Sequence, residues 1–294
     1  MGAEFHVTGL GDWTVQKGFS VRTRNGGKSR TIKQANRATK PVRLSDDSSI
    51  SFEAKYEGPI SFIRAKSLRL SEIDIIKIST SSNESLDDIL ARVVVWQSFI
   101  SFATRRAAYL EEMRVSMSDG ANALWIVPRS RSDSASSSGP LFTRKDLADG
   151  LSRYLRAWND NFREIEPVIS LYLGVGYQAT LYYSLRFLSY VQALETFHRR
   201  TRKGEFQKHP EFKRNVLSKL TEALPNQMNT DYRARIVAGM IHLNEWSLLQ
   251  RLYDLYDRDL KTVSRLFRDR DKDMRWVRDV RNYLTHYEGK TTMS

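Results

Sequence analysis

Along residues 49–56, apolar Ile50, Phe52, Ala54 and Tyr56 alternate with Ser51, Glu53 and Lys55. A period of two predicts a strand with one buried face. Beyond the break at Gly58-Pro59, the runs 60–63 and 73–78 are rich in β-branched or aromatic residues, and 113–117 and 123–127 read as two further strands. Between them, Leu86, Ile89, Leu90, Val93, Val94 and Gln97 recur at helical spacing. Ser85 precedes them and Asp87 and Asp88 fill the first turn, so a helix capped by Ser85 is predicted. This first part reads as α+β.

From about residue 143 the period becomes helical. Leu147, Leu151, Leu155 and Trp158 mark a helix over 146–163, and Pro167 is expected to interrupt it before a second, short helix. Leu181, Leu185, Leu188, Val191, Leu194 and Phe197 mark a long helix over 179–202. Helices over 210–224 (ended by Pro225), 232–240, 245–267 and 271–287 complete an all-α set, for which a bundle is the natural architecture. Residues 130–140, SRSDSASSSGP, have little apolar surface to bury and read as a linker between domains or a long loop inside one. The expected division is therefore 1–140, an α+β domain, and 141–294, a helical domain.

Composition adds a partner class. In 294 residues there are 47 Lys and Arg against 34 Asp and Glu, a net charge of +13, with 40% hydrophobic residues to build a core. That excess points to a polyanion, either nucleic acid or an anionic membrane surface. Between residues 14 and 44 stand nine basic residues and no acidic one. This segment is either a solvated hairpin turning at Gly26-Gly27 or an arm that neutralises phosphates through Arg22, Arg24, Lys28 and Arg30. Cysteine is absent, which excludes disulfides, thiol nucleophiles and Cys-based zinc sites and fits a reducing compartment. The opening MGAEFHVTGLGDW lacks a secretory pattern, and the most apolar stretch, 93–103, is far short of the roughly 20 residues a membrane span needs. A soluble, cytoplasmic protein without a membrane partner is expected.

A search by reaction class is mostly negative. Gly174-Val175-Gly176 leads to no P-loop lysine, there is no His-Glu-x-x-His, the five histidines lack metal-ligand spacing, and no Gly-x-Ser-x-Gly elbow occurs. No cofactor or metal is implied. One cluster remains. The segment WVRDVRNYLTHYEG holds Arg281, Asn282 and His286, an R-N-x-x-x-H arrangement. Arg281 stays charged and can grip a phosphate bidentately, while His286 can exchange a proton near neutral pH. Both side chains would equally well complement the negative end of a helix. Asn282 and His286, at i and i+4, share a face, whereas Arg281 and His286 lie about 140° apart around an ideal helix. A long Arg reach, an unwound helix end or a second copy in a dimer would bring them to one phosphate. Val277, Val280, Leu284 and Tyr287 form a stripe expected to bury this helix.

The chain resembles the HEPN superfamily, marked by R-x4–6-H near the start or end of a bundle helix, and more closely the ApeA-like HEPN proteins of anti-phage abortive infection. The resemblance rests on LSYVQALETFHR at 188–199 and VRDVRNYLTH at 277–286, and it spans about residues 144–287. The N-terminal α+β part is similar to the family's accessory domain in general character. The resemblance implies an all-α HEPN-type bundle acting as a metal-independent endoribonuclease without cofactor. It further implies a homodimer or higher homo-oligomer, RNA as substrate (transfer RNA by family analogy), and a phage trigger or antitoxin as partner. In that reading His286 moves protons, Arg281 holds the phosphate, and Asn282 orients the phosphate or the imidazole. Glu195 either hydrogen-bonds His286 or Arg281 or is a solvated carboxylate, and His198 is a structural or substrate-edge residue. Arg199, Arg200, Arg202 and Lys203 either contact the RNA backbone or complement a helix end. The competing reading is a non-catalytic helical module that binds nucleic acid or protein, in which R-N-x-x-x-H is structural.

Overall fold

The computed structural model describes residues 1–15, 19–24, 29–34, 39–57, 71–81, 84–117, 120–127, 139–178 and 180–287. The expected strand at 60–63, the body of the Ser-rich segment at 130–138, and Lys28 lie outside the described residues.

The N-terminal unit is built on one antiparallel sheet in the order β4-β5-β6-β1-β7-β8. Its strands are β1 (Gly2–Val7), β4 (Val42–Arg43), β5 (Ser49–Glu57), β6 (Ser71–Ser79), β7 (Leu110–Ser116) and β8 (Asn122–Ile126). In β1, Ala3, Phe5 and Val7 are buried while Gly2, Glu4 and His6 are half-buried, the alternation of a strand with one face on a core. The buried face meets α1 (Leu10–Thr14) and α2 (Leu86–Thr104). Ser85 caps α2 in a capping box with Asp88, which satisfies two backbone donors that the first turn leaves without partners. Trp13 of α1 lies between Phe52 and Phe99, with ring centroids 4.8 and 5.4 Å away, and Trp96, Ile89, Val93 and Ile100 complete the helix side. Full burial of each such side chain contributes about 1.5–3 kcal/mol.

A separate two-stranded ladder, β2 (Phe19–Arg24) with β3 (Ser29–Gln34), occupies the basic segment, with Arg24 opposite Ser29. Arg22 is exposed on it, and the side chains of Arg24 and Arg30 lie outside the described residues.

Helix α3 (Leu151–Tyr177) differs from expectation in two ways. It continues through Pro167 as one helix, and the packing boundary falls inside it. Proline removes one backbone donor and crowds the preceding turn. Here Phe162, Ile169, Leu173 and Val175 are buried on either side of Pro167, and that packing carries the helix past it. The N-terminal unit comprises 1–163 with 176–179, and the C-terminal unit comprises 164–175 with 180–294, so the boundary lies further along the chain than 140/141. The reason is apolar: Phe142, Leu147, Leu151, Leu155 and Trp158 join the N-terminal core, and the Trp158 indole N–H donates to the Val95 carbonyl at 3.0 Å.

The C-terminal unit is helical. After α4 (Tyr183–Arg202) come α5 (His209–Phe212), a π turn over Lys213–Leu217, α6 (Ser218–Glu222) and α7 (Thr230–Ile241). Then follow α8 (Leu248–Arg258), the short α9 (Leu260–Val263) and α10 (Arg270–His286). The expected helix over 245–267 is thus two pieces, because Ser247 and Gln250 form a capping box that starts α8 and Asp259 closes it. Helices α4, α8 and α10 pack against one another. Phe187 meets Trp276 edge-on at 5.8 Å and Glu195 approaches Arg281, so α4 and α10 run in the same direction.

Candidate active site

The motif helix α10 starts at an Asp269 cap and ends at Tyr287, whose left-handed backbone (φ 50°) stops it directly after His286. Met274 is its buried residue; Val277, Val280 and Leu284 are half-buried, and Tyr287 is exposed. The stripe predicted to bury the helix therefore covers it only in part, leaving the last turn open. In that turn Asn282 and His286 are exposed, and His286 has no hydrogen bond or ion pair among the described residues. Arg281 is half-buried. One guanidinium nitrogen donates to Asn282 Oδ1 at 3.2 Å, and the other terminal nitrogen lies 3.9 Å from Glu195 Oε2.

Glu195 projects from α4 and is almost wholly buried. Its Oε1 accepts from Arg199 Nη2 at 3.0 Å and from Nε at 3.3 Å. Arg199 in turn donates to Glu245, which also accepts from His242 Nδ1 at 2.8 Å. Hydrogen bonds from His242 and Arg199 hold the Glu245 carboxyl below the usual carboxylate range. The structure thus brings Glu195 to Arg281 rather than to His286.

The rest of the basic run is divided between a backbone carbonyl, acidic partners and solvent. Arg200 donates to the Glu164 carbonyl at 2.9 Å, and Arg202 reaches Asp254 at 3.2 Å and Asp259 at 3.6 Å. Lys203 is exposed, with no side-chain partner among the described residues.

Beneath this surface lies a polar core that the sequence pattern did not reveal. His198 and Arg251 are 0% and 1% exposed. Arg251 Nη1 donates to His198 Nδ1 at 3.0 Å and to the Lys203 carbonyl at 3.1 Å, and its Nε donates to the Trp246 carbonyl at 3.0 Å. With Nδ1 accepting, His198 carries its proton on Nε2, which donates to Asp254 at 3.2 Å. Burial and the neighbouring Arg251 push the His198 pKa down, so the ring is neutral. Of the three residues sequence reasoning missed, Arg251, Glu245 and Asp254, only the first had a legible pointer. The S-x-x-Q box at 247–250 places Arg251 on the first inward turn of a new helix.

Arg251 closes over a tight turn in which Lys203 and Gly204 both have positive φ, 61° and 71°. A Cβ on Gly204 would stand 2.6 Å from Arg251 Nη1 and 2.9 Å from His198 Cε1. Gly204→Ala is expected to destabilise the C-terminal unit by about 1–3 kcal/mol, combining strain in the left-handed region with displacement of a buried guanidinium. Urea unfolding reads the loss, and an unchanged midpoint would show that the turn relaxes freely.

A helical bundle whose last helix ends in R-N-x-x-x-H, with the arginine facing a buried glutamate of the neighbouring helix, has the architecture of a HEPN domain. The family models for ApeA-like HEPN and for ApeA N-terminal domain 1 match residues 188–293 and 2–158, the second covering more than half of the chain. The chain belongs to the ApeA-like HEPN family. No curated protein and no solved structure is similar enough to the chain to count as a match. Membership suggests an anti-phage defence effector, and HEPN domains are as a family generally nuclease-like. Among the described residues, no helix is long and apolar enough to cross a membrane.

Proposed function

We propose that this protein is a metal-independent endoribonuclease of anti-phage defence. In this proposal it cuts RNA by attack of the substrate's own 2′-hydroxyl at a site shared by two copies of α10. The observation that supports the reading most is the division of labour in one helical turn. His286 is exposed and without a partner among the described residues, while Arg281 is held beside Asn282 and Glu195 with donors to spare.

The reaction needs a base for the 2′-hydroxyl proton, a proton for the departing 5′-oxygen, and positive charge on the crowded phosphate. A histidine near its own pKa serves as base or acid, and a guanidinium stabilises the charge that develops on the non-bridging oxygens. Attack of the 2′-oxygen on phosphorus breaks the P–O5′ bond, leaving a 2′,3′-cyclic phosphate and a 5′-hydroxyl. One copy of α10 places Arg281 and His286 about 140° apart. A twofold axis through this helix brings a second His286 to the same phosphate, so that one imidazole accepts the proton and the other donates it. Transfer RNA is the first substrate to try, and a phage component or an antitoxin is the partner that sets when the site works.

The test is incubation of the purified protein with total RNA in EDTA. Cleavage that persists in EDTA and leaves 2′,3′-cyclic phosphate ends is expected. Cleavage abolished by EDTA and restored by a divalent cation, or an inert protein under all conditions, overturns the reading.

A further inference from the structure

The basic run at the end of α4 looks from the sequence like an RNA contact, yet Arg199 spends its guanidinium on two carboxylates. Its Nε and Nη2 go to Glu195 Oε1, and its Nη1 goes to Glu245. Four side chains therefore alternate in charge from Glu245 through Arg199 and Glu195 to Arg281, with His242 hydrogen-bonded to Glu245 at the outer end. Glu245 itself has Arg251 Nη2 at 3.8 Å on its other flank. We propose that Arg199 and Glu245 are positioning residues for the site: by occupying Glu195 they keep it from closing on Arg281, so that Arg281 stays in place but remains available to a phosphate. The inference rests on the nuclease reading above and adds residues to it.

The physical argument is one of competition for a single buried carboxylate. Glu195 is nearly excluded from water, and an isolated buried carboxylate draws any nearby guanidinium into a close, two-point pair. Arg281 stands at 3.9 Å, outside hydrogen-bonding distance, while Arg199 holds the other oxygen at 3.0 Å. Because Arg199 already shares the glutamate, the charge of Arg281 is only partly compensated and most of its donors stay free. Glu245 anchors the far side of Arg199 and fixes which way its fork points. Without Arg199, Glu195 and Arg281 close into a pair that a substrate phosphate must break.

Arg199→Gln tests this against an RNA-contact role. The expected result is a drop in kcat/KM of about 10- to 100-fold, the scale of a misplaced catalytic group. The slope of log affinity against log salt should stay unchanged, because no phosphate contact is lost. Adding Glu195→Gln to Arg199→Gln removes the carboxylate that traps Arg281 and should restore part of the loss. Arg199→Lys, a point charge without the fork, should fall between wild type and Arg199→Gln. A shallower salt slope with kcat intact, or a double variant whose losses simply add, overturns the proposal. The Arg281 side-chain N–H signal in nitrogen-15 spectra reads the same contact without substrate. In Arg199→Gln its exchange with water should slow as Arg281 closes on Glu195, and unchanged exchange overturns the proposal on its own. If the wild type cuts no RNA, the proposed function fails while this spectroscopic arm still decides whether Arg199 controls Arg281.

Discussion

Replacing His286 by alanine is expected to lower RNA cleavage by about 10²- to 10⁴-fold, the contribution of one positioned proton carrier. Arg281→Ala is expected to cost about 10²- to 10³-fold, as when one preorganised donor to a developing oxyanion is removed. Neither change should unfold the protein. His286 is exposed and Arg281 half-buried near the end of α10, and the buried anchor of that helix, Met274, lies about two turns before Arg281 and about three before His286. Cells expressing either variant should lose any growth defect caused by the wild type, while the far-ultraviolet circular dichroism keeps its helical amplitude. Mixing the two inactive variants after mild dissociation distinguishes a shared site from a private one. Heterodimers regain partial cleavage when the essential Arg and His come from different subunits. Wild-type cleavage by either single variant would place the site elsewhere, and loss of activity together with helical signal would make the motif a structural brace.

The largest effect on stability should come from Arg251. Truncation to alanine leaves His198 Nδ1 and the carbonyls of Trp246 and Lys203 without their buried donor. Removing one member of a buried, hydrogen-bonded charged network costs about 3–5 kcal/mol. The urea midpoint of the C-terminal unit should fall accordingly, and a shift within experimental error would mean water replaces the guanidinium. The same network predicts a pH dependence. His198 has its pKa lowered by burial and by Arg251 below the ordinary value of 6.5. On acidification the unfolded chain takes up this proton first, so stability is lost as pH falls below about 6.5 toward the folded-state pKa. Above 6.5 this residue contributes no slope. His198→Gln should flatten that acid limb, and an unaltered limb would assign the titration to another group.

The strands and helices with a clean period were legible in the sequence. The alternation at 49–56 became β5, Ser85 capped α2, and the stretch at 271–287 became α10, because in each case local pattern and packing agree. β1 escaped notice although Ala3, Phe5 and Val7 alternate cleanly, since a six-residue strand gives few repeats to count. The continuation of α3 through Pro167 was illegible for a different reason: burial of Ile169 and Leu173 overrides a local penalty, and burial is a tertiary quantity. Within the site, R-N-x-x-x-H could be read directly, but the arginines that are paired or buried could not. Arg199, Arg202 and Arg251 carry the same letters as solvated or RNA-binding arginines; the carboxylates of Glu195, Glu245 and Asp254 decide the role of the first two, and burial against His198 and two backbone carbonyls decides that of Arg251.

The place of β1 also governs the order in which the N-terminal sheet can assemble. Gly2 pairs with Ser79 on one side and with Ser116 on the other, so the strand at the middle of the sheet is the earliest of its strands to leave the ribosome. Its hydrogen-bonding edges have no partner until β6 has emerged on one side and β7 on the other. Pairings this distant along the chain are slow to form, and an unpaired apolar strand is exposed to wrong partners meanwhile. Until residue 116 is synthesised, β4, β5 and β6 can form only a sheet with β1 as its open edge. A nascent chain therefore carries an adhesive segment until β7 has emerged, and its yield in cells should depend on chaperones that shield that segment.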